Sequence, residues 1–137
     1  YVQNVPMIGR ILADWRPDRS IGLLFVLPLW HSVLAAEQVG TLAALLGPNA
    51  PFIVQTGVGG RLDEFAAMGA DVATRGRRTD EAIRVMKALL AGEQVDSETW
   101  GIDGATMAKR ADINGDNFRN LQTLSDFVAS RLDQAAG

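Results

Sequence analysis

Apolar residues recur at helical spacing from the start of the chain. Met7, Ile8, Ile11, Leu12 and Trp15 fall three and four apart, which predicts a helix over 7–15 that Pro17 ends. Residues 21–27 are almost continuously apolar without alternation, as in a parallel strand covered on both faces, and Pro28 closes the run because it cannot donate within a sheet. A helix over 31–46 follows, with Val33, Leu34, Val39, Leu42, Leu45 and Leu46 as its stripe and Ser32 as the N-cap. Gly47-Pro48-Asn49 stops it. Residues 52–56 form a second buried strand that runs into Gly57-Val58-Gly59-Gly60.

A short helix over 63–68 ends at Gly69. Thr79 then caps a strongly patterned helix, with Asp80 and Glu81 at its positive end and Ala82, Val85, Met86, Leu89 and Leu90 as its stripe; Gly92 stands past its end. Residues 95–100 and 105–107 read as a hairpin-like excursion. A last amphipathic pattern spans 116–135 through Phe118, Leu121, Leu124, Phe127, Val128 and Leu132. Strands alternating with helices predict an α/β fold with βα repeats and a parallel sheet, either an open doubly wound sheet or part of a (β/α)₈ barrel.

Composition narrows the chemistry. The chain has 137 residues, no cysteine and a single histidine, His31. Disulfides, Cys-ligated zinc, iron–sulfur clusters and sites built from several imidazoles are therefore excluded. A net charge of -3 gives no electrostatic reason to expect nucleic acid or an anionic membrane as partner. No apolar run reaches the roughly 18 residues of a membrane span, so a cytoplasmic setting is expected.

Four stretches then resemble, in order, the luciferase-like monooxygenase family of flavin- or deazaflavin-dependent (β/α)₈ oxidoreductases. "IGLLFVLPLWHSVLAAEQVGTLAAL" is similar to the family's third strand and following helix, and "PFIVQTGVGGRLDEFAAMGAD" to the fourth strand with its glycine-rich turn. "RGRRTDEAIRVMKALLAG" resembles the next helix, and "WGIDGATM" the excursion after it. The resemblance covers about residues 21–108. It departs from the family at Pro51-Phe52, where Arg-Phe is common, at His31-Ser32, where His-Pro is common, and at Val58, where some members carry a phosphate-holding arginine. A full barrel needs about 250 residues, so the resemblance implies a fragment of about half a TIM barrel over 1–110, with a C-terminal amphipathic helix over 111–137 outside the match.

Two strand ends are candidate sites, because barrel active sites lie at the C-terminal ends of the strands. By resemblance, the Pro28–His31 stretch bulges behind a flavin ring, often through a cis peptide, so that Leu29 and Trp30 would back the cofactor; an ordinary strand-to-helix turn, with Trp30 as core and His31 as a polar cap, is the plainer reading. Gly57, Gly59 and Gly60 let the backbone approach a ring or phosphate, or simply make a tight turn. The spacing matches neither a Walker loop nor Gly-x-Gly-x-x-Gly. Arg61 can reach a phosphate but reads more simply as solvated. Arg75, Arg77 and Arg78 invite a phosphate or phosphopeptide reading, but beside Asp80 and Glu81 they read more simply as a solvated, salt-bridged loop, and Asp63 and Glu64 as helix-dipole partners. In the tail, Asp112, Asn114 and Asp116 alternate as in a calcium loop, yet Asn117 and Thr123 stand where such a loop needs glycine and a bidentate acid.

The resemblance thus implies part of an oxidoreductase, a monooxygenase, that positions FMN, or alternatively coenzyme F420, against a small organic substrate. No catalytic acid or base and no metal ligand is identifiable. The alternative is a non-catalytic truncated half-barrel acting as an interaction or oligomerisation module, associating with a second copy or with the remainder of a barrel.

Overall fold

The computed structural model describes residues 3–16, 19–47 and 51–107. Helix α1 (Asn4–Leu12) begins three residues before the predicted start. Pro6 is no obstacle there, since the first turn of a helix has free amides in any case. Val5, Ile8 and Leu12, three and four apart, pack against the core, whereas Met7 and Ile11 are exposed. Trp15 lies outside the helix, its indole N–H donating to the Arg19 carbonyl at 3.0 Å.

Strands β1 (Ile21–Val26) and β2 (Phe52–Gly57) pair in parallel, with Ile21 opposite Phe52 and Val26 opposite Gly57. The Ile21 amide donates to the Pro51 carbonyl. Alternate residues of β1 therefore turn their backbone groups toward β2, and the Leu24 carbonyl faces the opposite edge. There the Asn4 side-chain amide donates to it at 2.6 Å, so α1 closes part of an edge that would otherwise be open. The expectation of strands covered on both faces does not hold. Ile21, Leu23 and Phe25 are buried on one face, while Leu24 and Ile53 on the other are 51% and 49% exposed.

The covered face packs against α2 (Ser32–Leu46) and α4 (Arg75–Leu90). The buried stripe of α2 is Ser32, Ala35, Ala36, Val39 and Leu42; Leu34 and Leu45, expected inside, are exposed. This helix is apolar nearly all round, so large side chains alone misplace its inner face. Alanines 35 and 36 mark it instead, because small residues let α2 lie close to the sheet and to α4. His31 is the N-cap rather than Ser32: its Nδ1 accepts from the Val33 amide at 3.4 Å, and Ser32 is fully buried.

Helix α3 (Leu62–Ala67) is short, and only Phe65 on it is buried. Asp71 then caps a 3₁₀ turn over Val72–Thr74 by accepting from the Ala73 amide. That turn runs directly into α4, which starts four residues before the predicted cap. Thr79 is an interior residue whose hydroxyl donates back to the Arg75 carbonyl at 2.8 Å. Leu89 is buried as expected, but Leu90 is 41% exposed.

Strands β3 (Val95–Ser97) and β4 (Ile102–Ala105) form an antiparallel hairpin around a 3₁₀ turn at Glu98–Trp100, with Gly101 in the left-handed conformation. The hairpin is fastened to α4. Arg84 donates twice to the Glu81 carboxylate and once to the Asp96 carbonyl, and Ser97 donates to Glu81 at 2.7 Å. The Asp96 carboxylate accepts from the Gly104 amide. These bonds push the Glu81 carboxyl down to about 2, chiefly through Arg84 and then Ser97.

The result is a mixed α/β arrangement with one parallel pair, and all described residues fall in a single unit spanning 1–107. The helix expected over 116–135 and the Asx-rich stretch before it lie outside the described residues. Among the described residues no helix is long and apolar enough to cross a membrane.

Candidate functional site

In α/β sheets ligands bind beyond the carboxyl ends of the strands. At the end of β1 the chain makes a 3₁₀ turn over Leu27–Leu29, closed by the Trp30 amide donating to the Leu27 carbonyl at 3.0 Å. All peptide bonds of the described residues are trans, so the turn bends without the cis bond the resemblance suggested. Leu27 and Pro28 are buried. The Trp30 ring stands edge-on to Phe25, centroids 5.2 Å apart, and packs on the core.

Arg78 comes to this turn from the first turns of α4. Its Nε–H donates to the Pro28 carbonyl at 3.2 Å, and its guanidinium lies 4.0 Å over the Trp100 ring. A stacked guanidinium of this kind is held in orientation as well as position. The Trp100 carbonyl lies 3.2 Å from His31 Nε2, and the two rings meet edge-on at 5.7 Å. Because Nδ1 accepts from Val33, the hydrogen-bond network assigns the ring proton to Nε2, which donates to Trp100. Turn, helix and hairpin are thus tied together at one point.

Two adjoining hollows open around it and share Ala70, Arg78 and Thr99. One, about 330 Å³, is lined by Pro28, Leu29, His31, Met68 and Trp100 besides the shared residues. The other, about 480 Å³, adds Asp71, Thr74, Arg77 and Glu98. Both volumes suit small-molecule ligands. Arg78 is half-buried, yet no carboxylate among the described residues forms an ion pair with it. A guanidinium fixed at a cleft and engaged in no ion pair can receive an anionic group, here beside the Asp71 and Glu98 carboxylates of the larger hollow.

The residues singled out from sequence separate. Leu29 lines the smaller hollow, whereas Trp30 turns into the core. Gly57 ends β2, Gly59 and Gly60 lie in the turn after it, and none of the three lines either hollow. At Gly59 φ is +66°, and an added Cβ would lie 2.7 Å from Val26 Cγ1 and 3.0 Å from the Phe65 ring. This glycine is required by the packing of its own turn. Gly60 has open space where a side chain would be, and a Cβ at Gly57 would make ordinary contact with the Phe25 carbonyl at 3.8 Å. Arg61 pairs with Asp63 at 2.7 Å and reaches Glu64 at 3.7 Å, holding the Asp63 carboxyl below its usual range.

The sequence offers Arg78 as a phosphate ligand but favours a solvated loop for it, and it gives no sign of Trp100. A helix that begins at Thr79 leaves Arg78 in a solvated loop, whereas α4 begins at Arg75. The available signal was Asp71, an Asx cap placed to start the helical segment earlier.

The profile of the luciferase-like monooxygenase family matches residues 22–113. Uncharacterized proteins of Mycobacterium bovis and Mycobacterium tuberculosis are 38% identical to this chain over 69 residues, covering 49% of it and 23% of their own length. The chain thus matches less than a quarter of the length of these relatives.

Proposed function

The chain belongs to the luciferase-like monooxygenase family, a family of oxidoreductases, and from that premise we propose that it supplies part of the cofactor site of a flavin-dependent enzyme acting on a small organic substrate. The cofactor proposed is FMN, with coenzyme F420 as the alternative. The observation that carries this reading is Arg78, a stacked, half-buried guanidinium without a carboxylate partner among the described residues, at the carboxyl end of the parallel pair. Both cofactors carry phosphate, which a stacked guanidinium can hold.

Arg78 would hold the anionic part of the cofactor, Leu29 would offer apolar contact, and Trp30 would support that turn from behind through Phe25. Gly57 and Gly60 would allow close approach of the backbone, while Gly59 keeps their turn in shape. The bound flavin supplies the redox chemistry; the protein binds it, orients it and excludes water. His31 has both ring nitrogens engaged, Nδ1 with the Val33 amide and Nε2 with the Trp100 carbonyl. On this reading the described residues are part of a half-barrel whose remaining strands complete the site.

Titration with FMN, followed by quenching of flavin fluorescence, tests the proposal. Saturable binding in the micromolar range is expected, at least tenfold weaker in Arg78→Ala, the order expected for a lost charged hydrogen bond. Equal binding by the two proteins would refute it.

A second reading rests on the exposed sheet face that carries Leu24 and Ile53. There the chain is an interaction or oligomerisation module without catalysis. A mass above the monomer by light scattering, with no FMN binding, would favour it.

A further inference from the structure

Arg78 owes its placement to groups outside its own helix. One is the Pro28 carbonyl, in the turn that leads to His31. The other is the Trp100 ring, at the tip of a hairpin whose strands are only three and four residues long. The network through Glu81 and Arg84 fastens this hairpin at Ser97 and Asp96, short of the tip. At the tip itself, the Trp100 carbonyl accepts from His31 and the Trp100 ring meets the imidazole edge-on. Trp100 is buried, and its indole N–H has no hydrogen-bond partner. The ring is therefore held by packing, by Arg78 and by the His31 bond to its backbone.

We propose that His31 is a positioning residue for the ligand-binding arginine: its Nε2–H bond to the Trp100 carbonyl holds the indole platform on which Arg78 is stacked. The inference rests on reading the cleft as the cofactor site. It gives the single histidine of the chain two separable duties. Nδ1 caps α2, and Nε2 sets the hairpin tip. The duties can be divided by substitution, because an Asn amide oxygen lies close to where histidine carries Nδ1, and a Gln amide nitrogen lies close to where it carries Nε2. His31→Asn retains a good cap and loses the bond to Trp100. His31→Gln keeps that bond and loses the cap.

The test compares the full chain with both variants by two readouts. The first is solvent exchange of the Arg78 Nε–H in ¹H–¹⁵N spectra, assigned with Arg78→Lys. It needs no ligand. The second is FMN affinity, with melting temperature recorded to separate the capping effect.

In His31→Asn, Arg78 Nε–H exchange should rise about fivefold or more, and FMN affinity should fall about five- to tenfold at a near-native melting temperature. In His31→Gln, exchange and affinity should stay near the wild-type values, although the melting temperature falls. Unchanged Arg78 exchange in His31→Asn would overturn the proposal. Equal loss in both variants would also overturn it, since Gln preserves the bond held responsible. Should the exchange pattern appear while the wild-type chain fails to bind FMN, the positioning role stands and the cofactor reading fails.

Discussion

Gly59 shows how one residue type serves two different ends. Glycines after a strand can open the backbone to a ligand, but at Gly59 the added carbon would collide with Val26 and Phe65, and φ is +66°. Gly59→Ala should therefore destabilise the chain by about 1–3 kcal/mol, read as a lowered midpoint in urea unfolding. Gly60→Ala, with nothing within 4 Å of the new carbon, should change the midpoint far less. The need for glycine in this turn was legible from its spacing. Which glycine is indispensable, and to what, was not, because that depends on Phe65 reaching back from α3 and on Val26 across the turn. His31 was similarly half legible. Its place before a helix marked a polar cap, but its bond to a carbonyl 69 positions away leaves no trace in local sequence.

Helix α4 was predicted from its stripe, and Ala82, Val85, Met86 and Leu89 are buried as the period requires. Its ends were less legible, since the 3₁₀ turn capped by Asp71 moves the start back to Arg75 and carries Arg78 from loop into helix. Leu89→Ala should cost about 2–5 kcal/mol, whereas Leu90→Ala, at a position 41% exposed, should cost under about 1 kcal/mol. Thermal melts of the two variants check the register of the helix.

The attachment of the hairpin to α4 makes a separate prediction. Glu81 binds protons less readily in the folded chain, at about 2, than at its ordinary value of 4.5, so the unfolded chain takes up more protons between those values. Its contribution to stability is fully present above about pH 4.5 and is lost as pH falls toward 2. Glu81→Gln should lower stability at neutral pH and flatten the slope of unfolding free energy in that window. An unchanged slope would show that the Arg84–Glu81–Ser97 network does not form in solution.

At the scale of the whole molecule, the α/β class and the parallel pairing were readable from two apolar runs separated by a helix. The burial of those strands was not. Continuous apolar runs imply cover on both faces, yet here one face carries exposed Leu24 and Ile53. The cleft was the least legible feature, because it is assembled from a strand-end turn, the start of α4 and a hairpin tip, each unremarkable alone. On the proposed function, this cleft receives the phosphate-bearing end of a flavin at Arg78. The affinity of the chain for FMN relative to riboflavin, which lacks the phosphate, tests this most directly. FMN should bind at least tenfold tighter, with the difference abolished in Arg78→Ala. Equal affinities for the two flavins, or a preference that survives loss of Arg78, would contradict it.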